Sequence, residues 1–309
     1  MRTHPVRLLP AGGAIVSAAL TFCFSALQRG VVLSIFANKI VFITGAGSGI
    51  GFAIANELGA RGAVIVATDR DGASAESCAA GIGARGGRAT AIALDVTDND
   101  AVKGAVEGTA ALHGRLDYIF NNAGVGFAGE VRDSTVEQWR QVLDVNLNGV
   151  IYGVLAAYPI MVKQGSGHIV NTASLSGLVV SPTMAPYSTS KHAVVGLSRA
   201  LRAEGKALGV KVTALCPSFV ESKVYENSIR AAMGDVPTRS IVPFPIVPID
   251  VAVQALIAGV ERNDEIVVLP FQGRLLWWMM RLMPSFADAT LAKSLARFRR
   301  TARVSPAGA

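Results

Sequence analysis

The chain has few of the residues that staple or metallate a fold. Its three cysteines, Cys23, Cys78 and Cys216, are widely spaced with no Cys-x-x-Cys pair. That excludes a disulfide framework and a thiolate zinc site, and it fits a reducing, cytoplasmic setting. The four histidines, His4, His113, His168 and His192, gather into no ligand cluster, so no metal centre is expected. Charged residues are only 17% of the chain and aromatics only 6%. The cations are not interleaved with stacking groups in any nucleic-acid module, which excludes nucleic acid as a partner. No internal repeat and no long low-complexity linker divides the sequence.

What is present is apolar material. Hydrophobic residues are 51% of the chain, enough for a core with some left over for an oligomer interface or a membrane. Short β-branched runs at 40–44, 63–68, 89–94, 117–120, 168–172, 210–215 and 265–269 alternate with longer helical patterns. This is the pattern of βαβ units around a parallel sheet buried on both faces. Ser134-Thr-Val-Glu137 reads as a capping box that opens one of the helices. One α/β domain is expected over 39–270, with extensions at 1–38 and 271–309 that do not fit the series.

Three places in the series carry chemistry. Thr44-Gly-Ala-Gly-Ser-Gly-Ile-Gly51 follows the first strand and opens a helix. Glycines there permit a tight turn and close approach of backbone to a pyrophosphate, which the helix N-terminus favours. Gly45, Ser48, Gly49, Ile50 and Gly51 are therefore candidates for a dinucleotide site. Asp69 ends the second strand, where a carboxylate accepts hydrogen bonds from an adenosine ribose and repels a 2′-phosphate. Arg70 follows and can instead greet that phosphate, so NAD is preferred and NADP is kept as the alternative. Asn121-Asn122-Ala123-Gly124 ends the fourth strand, and its small pair lets a cofactor lie close to the backbone.

The third place is Tyr187-Ser-Thr-Ser-Lys191. Positions i and i+4 share a helix face, so the Lys191 ammonium is expected to favour the ionised Tyr187 phenol. An ordinary phenol titrates at about 10, and such a shift would let it act as an acid or base nearer neutral pH. Ser174 lies after an apolar strand in a small-residue turn, where its hydroxyl can bind a substrate oxygen. His192 adjoins Lys191, but its side chain is expected off this face.

In this order and spacing the chain resembles the short-chain dehydrogenase/reductase family, marked by TGxxxGxG, NNAG, a helix Asn, a Ser, YxxxK and a Pro-Gly segment. The likeness covers about residues 39–270 and implies a Rossmann-type doubly wound parallel sheet in a single α/β domain. It implies catalytic roles for Asn146, Ser174, Tyr187 and Lys191, with Asn146 anchoring a water that links Lys191 to solvent. It also implies cofactor contacts for Asp95 and Val96 at the adenine, for Asn122, Ala123 and Gly124, for Tyr187 and Lys191, and for Pro217, Val220 and Ser222. Ser218 stands where the family has Gly, and Ser222 where it often has Thr. Homo-dimers or homo-tetramers are common in the family.

Substrate identity is expected in 220–248, whose second half, Ile241-Val-Pro-Phe-Pro-Ile-Val-Pro248, is apolar and proline-stiffened. Such a lid suits a small lipophilic alcohol or ketone of steroid, retinoid or long-chain type. The alternatives are an NADP-dependent ketoacyl-type reductase and a non-catalytic dinucleotide sensor. The ends raise a membrane. Residues 8–27 carry no charge over about the length of a spanning helix. They read as an anchor to the cytoplasmic face, as a signal peptide, as an ordinary packed helix, or as residues upstream of a true start near 31–33. Residues 1–39 carry Arg2, Arg7, Arg29 and Lys39 with no acid, and from Gly273 onward seven cations face Asp288 alone. Leu275-Leu-Trp-Trp-Met-Met-Arg-Leu-Met283 sets tryptophan beside arginine, as at a membrane interface, or else covers the cleft or a partner subunit. Arg297 to Arg303 would then rest on headgroups or remain in water.

Overall fold

The computed structural model describes residues 34–221, 228–234, 236 and 246–303. The apolar stretch at 8–27, the alternative start at 31–33, Ser222 and most of the 220–248 lid lie outside the described residues. From Phe36 onward the chain forms one compact unit.

Strands β1 (Ile40–Thr44), β2 (Val64–Asp69), β3 (Arg88–Ala93), β4 (Tyr118–Asn121), β6 (Gly167–Thr172), β7 (Val210–Pro217) and β9 (Ile266–Leu269) make a seven-stranded sheet. Its order is β3-β2-β1-β4-β6-β7-β9, and each pairing is parallel. The chain winds outward from β1 in both directions, so the order reverses between β1 and β4. A crevice opens at the carboxyl ends of the strands at such a switch point. A two-stranded parallel ribbon, β5 (Phe127–Ala128) with β8 (Ile229–Arg230), stands apart from the sheet.

Alternation within β1 splits the core. Val41 and Ile43 join one apolar cluster with Ile54 and Leu58 of α1 (Gly49–Ala60) and Leu256 and Ile257 of α7 (Ile249–Glu261). Ile40 and Phe42 face the other cluster. It is filled by Val102 and Val106 of α3 (Asn99–His113), Val154 and Met161 of α5 (Gly149–Gln164), and Val194 of α6 (Ala185–Gly205). Successive strand side chains point to opposite faces, so a fully buried strand must be apolar at every position. β1 is buried throughout and apolar from Ile40 to Ile43; its one polar residue, Thr44 at the carboxyl end, is hydrogen-bonded through its hydroxyl. β3, an edge strand, has three exposed positions, and two of them are the polar Arg88 and Thr90.

After β5 a short turn leads to α4 (Val136–Leu143), whose capping box lies one residue later than the sequence suggested. Thr135 Oγ1 accepts from the Gln138 backbone N–H, and Gln138 Oε1 accepts from the Thr135 N–H. Ser134 is diverted, donating to the Val131 carbonyl and accepting from the Trp139 indole. A π-helical turn, Asp144–Asn148, joins α4 to α5. This run, Val136–Gln164, is the one helical stretch among the described residues long and apolar enough to cross a membrane. Its α5 half packs on α3 and on β6 as a core helix.

α8 (Phe271–Leu282) and α9 (Pro284–Thr301) close the described chain. The end of α9 is docked: Phe298 and Ala302 are buried, and the Gly234 N–H donates to the Ala302 carbonyl. Arg299 forks onto Glu130 with two 2.9 Å bonds, and Arg303 forks onto Asp133 at 2.9 and 3.0 Å. This corrects the expectation that these two arginines rest on headgroups or in open water; carboxylates of the same chain hold them.

The Arg299 hydrogen bonds, with Arg132 nearby, pull the Glu130 carboxyl down from 4.5 to about 2. A carboxylate with a depressed folded pKa contributes stability that is present above its ordinary value and lost as pH falls toward the folded one. Thermal melting as a function of pH checks this. Arg299→Ala should melt lower than wild type near neutral pH and lose less on acidification from 4.5 toward about 2. Identical melting curves for the two proteins would show that the α9 docking does not depend on the pair.

Candidate active site

The ends of β1, β4, β6 and β7 open into a cleft of about 910 Å³. At one side, Gly45 and Gly49 hold φ values of +65° and +55°, a region that disfavours other residues. Ser48 is the N-cap of α1 yet its side chain makes no capping bond, and Gly45, Ser48, Gly49 and Ile50 all line the cleft. A helix N-terminus presented in this way suits an anion. Gly51 does not line the cleft. A β-carbon there would stand 2.2 Å from the Gly45 carbonyl oxygen, so its part is to let the helix pack against its own turn.

Half-buried Asp69 lines the cleft and steadies this turn: Oδ2 accepts from the Gly47 N–H at 3.0 Å and Oδ1 from the Asp71 N–H at 3.0 Å. Each oxygen keeps a lone pair for a ligand. Arg70, exposed, lines the same cleft. Asp95 and Val96 form a further part of the wall. Asp95 Oδ1 accepts from the Thr97 N–H and hydroxyl, and the Thr97 N–H holds its carboxyl below the usual value.

Thr44 joins the β1 end to the Asn122–Gly124 turn. Its Oγ1 accepts from the N–H groups of Asn122 and Ala123 at 2.9 and 3.0 Å. Asn122 returns the bond through Nδ2 to the Thr44 carbonyl, and its Oδ1 accepts from the Thr172 hydroxyl at 3.3 Å. Asn122, Ala123 and Gly124 line the cleft. Sequence reasoning missed Thr172 and the role of the Thr44 hydroxyl. Both are the last residues of strands that only the sheet order brings together.

On the opposite side Lys191 is buried, and its Nζ donates to the Thr172 carbonyl at 2.8 Å. It lies 5.7 Å from the Tyr187 ring centre, and both residues line the cleft. Burial pulls the ammonium down from 10.5 to about 8, which corresponds to about 3 kcal/mol in favour of the neutral amine. The Tyr187 phenol is raised above 10.0 by burial, while the adjoining Ser174 hydroxyl acts the other way. The expected lowering of the phenol by Lys191 is thus corrected: desolvation dominates both groups, and the lysine is the first to lose its proton.

Ser174, buried at the end of β6, accepts from the Ser176 N–H at 3.1 Å and stands 3.5 Å from the Pro217 carbonyl. Asn146 lies fully buried in the π turn, a deformation frequent at functional sites. Its Oδ1 accepts from the Val125 N–H at 2.8 Å and its Nδ2 donates to the Val125 carbonyl at 2.9 Å. Its side chain therefore pins the residue that follows Gly124. A β-carbon on Gly124 would stand 3.1 Å from Asn146 Oδ1 and 3.6 Å from Lys191 Nζ, so glycine keeps this part of the cleft open.

Pro217, Ser218 and Val220 line the cleft after β7. Ser218 is not among the residues with positive φ, and its N–H donates to the Leu269 carbonyl at 2.7 Å. The backbone therefore makes no demand for glycine there. His192 is exposed with a ring nitrogen 2.9 Å from the Ser188 carbonyl, and His168 is buried against the Thr213 hydroxyl, its pKa pushed down to about 3 by desolvation. Buried Cys216 lies near Lys191 and Tyr187, with its thiol pushed up to about 12 by burial. No group of potential metal ligands occurs among the described residues. One wall was not foreseen: Glu137, Arg140, Gln141, Asp144 and Val145 line the cleft from one helical face. Their spacing was legible, but a polar helix face ordinarily meets water.

Comparison with known proteins agrees with this geometry. The short chain dehydrogenase family profile matches residues 39–232. The probable oxidoreductase EphD of Mycobacterium tuberculosis is 35% identical over 271 residues, which are 82% of this chain and 45% of that protein. The chain thus spans less than half the length of that relative. The meso-2,3-butanediol dehydrogenase of Serratia marcescens is 39% identical over 189 residues, 61% of this chain and 74% of that one. Among solved structures, a short chain dehydrogenase/reductase from Burkholderia phymatum in complex with NAD superposes with a TM-score of 0.74 at 28% identity. That match covers 80% of this chain and 94% of the other. The profile match, the parallel sheet and the ordered motifs agree: the chain belongs to the short-chain dehydrogenase family of oxidoreductases.

Proposed function

We propose that the chain is an NAD-dependent oxidoreductase that moves a hydride between a nicotinamide cofactor and a secondary, lipophilic alcohol or ketone. The observation that carries this reading is the placement of Tyr187 and buried Lys191 in the same cleft as the glycine turn and Asp69, with Ser174 beside the phenol. The cofactor, when bound, supplies the hydride acceptor or donor. In the oxidative direction the Tyr187 phenol takes the hydroxyl proton as it passes its own proton to the neutral Lys191 amine, and Ser174 donates a hydrogen bond to the reacting oxygen. Lys191 exchanges a proton with the phenol, and a water held at Asn146 passes it to solvent. In reduction the phenol gives the proton back.

Asp69 supports NAD over NADP, because a second negative charge beside it is repelled. The same residue speaks against an NADP-dependent ketoacyl-type reductase, and retention of Tyr187 and Lys191 speaks against a non-catalytic sensor. A lipophilic substrate is supported by Val125, Val220 and Ile229 on the cleft wall, and by the apolar cluster of Phe127, Val142 and Ala231 that packs with Tyr187. The ends of the 220–248 segment are tied together, Glu221 N–H to the Val247 carbonyl at 2.9 Å and Val247 N–H to the Phe219 carbonyl at 2.8 Å. We place the enzyme in the cytoplasm as a homo-dimer or homo-tetramer.

NADH formation from NAD with a panel of short, long-chain and steroid-like secondary alcohols tests this reading. Tyr187→Phe should lower turnover at least about 100-fold while cofactor binding persists; equal turnover in the variant would remove Tyr187 from the mechanism. Asp69→Asn keeps one acceptor for the turn and should move the NAD to NADP preference toward NADP by about tenfold or more. An unchanged ratio would place cofactor choice elsewhere.

The pH dependence follows from the pair. Burial brings the Lys191 ammonium down to about 8, while the phenol stays above its ordinary value, so the amine is the group that becomes a proton acceptor in that region. Oxidation needs a proton acceptor, so kcat/KM for the alcohol should rise with pH through that region, and ketone reduction should fall. Lys191→Met should move the inflection upward, toward the raised phenol. A profile that stays put in the variant would rule out proton sharing by the pair.

A further inference from the structure

Phe271, Leu275, Trp278 and Leu282 recur along α8 at i, i+4, i+7 and i+11, one stripe about 16 Å long. All four are exposed, by 74, 54, 49 and 72%. Isolated exposed apolar residues are ordinary, but a contiguous line of large ones marks a binding surface. The opposite side of α8 faces the protein: Gly273 is buried, and a β-carbon on it would stand 3.2 Å from Leu175, the neighbour of Ser174. Exposed Arg274 and Arg281, seven residues apart, line one flank of the stripe.

Charge decides what fits this face. α8 has no acidic residue, and from Gly273 onward Asp288 is the sole acid against seven cations. Arg299 and Arg303 are taken by Glu130 and Asp133; Lys293, Arg297 and Arg300 stand exposed on α9. A second copy seated stripe to stripe would bring Arg274 and Arg281 against a helix with nothing to neutralise them. An anionic surface with an apolar interior satisfies both the arginines and the stripe, and tryptophan is at home at that boundary.

We propose that α8 docks on an anionic lipid bilayer, with Phe271, Leu275, Trp278 and Leu282 entering the acyl boundary and Arg274 and Arg281 at headgroup level. The contact between Gly273 and Leu175 sets the Ser174 side of the cleft beside this surface, which suits the lipophilic substrate proposed above. The docking itself does not depend on that reading.

The full-length protein carrying Trp139→Phe and Trp277→Phe leaves Trp278 as its sole tryptophan, and a wild-type far-UV circular dichroism spectrum and cooperative melting check that it is folded. It is mixed with vesicles bearing brominated acyl chains, made of phosphatidylcholine alone or of equal parts phosphatidylcholine and phosphatidylglycerol. Quenching and a blue shift of Trp278 are expected with the anionic vesicles, and several-fold weaker quenching with the neutral ones. Adding Arg274→Glu and Arg281→Glu should weaken the anionic response several-fold. Three results would overturn the proposal. One is vesicle-bound protein whose Trp278 is not quenched, which would assign binding to another segment such as 8–27. Another is equal quenching by neutral and anionic vesicles. The third is an unquenched Trp278 together with a smaller solution mass for Leu275→Glu/Leu282→Glu, which would make the stripe a contact between copies.

Discussion

The site is organised by the burial of one cation. Taking an ammonium out of water costs several kcal/mol unless partners answer it, and Lys191 is given the Thr172 carbonyl at 2.8 Å. That single bond ties α6 to the end of β6. It also calls for a small residue beside it: a β-carbon on Gly124 would stand 3.6 Å from Nζ. The incomplete compensation is the useful part. It leaves the amine titrating at about 8 beside a phenol that burial has made reluctant to ionise. A pair in which either group releases its proton only at some cost is suited to passing one back and forth.

The same strand end links the two halves of the cleft. Thr172 offers its carbonyl to Lys191 and its hydroxyl to Asn122, which in turn bonds the Thr44 carbonyl at the glycine turn. Asn146 completes the frame by holding Val125 through both ends of its amide. The glycine-turn side and the Tyr187–Lys191 side of the cleft are therefore parts of one hydrogen-bonded edge. They are set by the parallel alignment of β1, β4 and β6.

Much of this was legible in the sequence because it is local. The seven strands were apolar runs punctuated by turns, and their observed bounds lie within two residues of those expected. The glycine turn and the Tyr187–Lys191 spacing depend on residues close in the chain. What escaped was decided by tertiary neighbours. The capping box slipped from Ser134 to Thr135 because Ser134 found partners in Val131 and Trp139. The polar face from Glu137 to Val145 turned into the cleft instead of solvent. Arg299 and Arg303 met carboxylates about 170 positions earlier. The direction of the Tyr187 shift was misjudged because helical spacing reports proximity to Lys191 but not the loss of water around both groups.

The central claim is that Lys191 yields its proton first, because it is buried. Selective ¹³C labelling of lysine, with the Lys191 Cε resonance assigned by its absence from a Lys191→Met spectrum, allows that proton to be followed directly. The account predicts an inflection at about 8 for Lys191. A Lys191 that keeps its ammonium until the ordinary lysine value of 10.5 would contradict it.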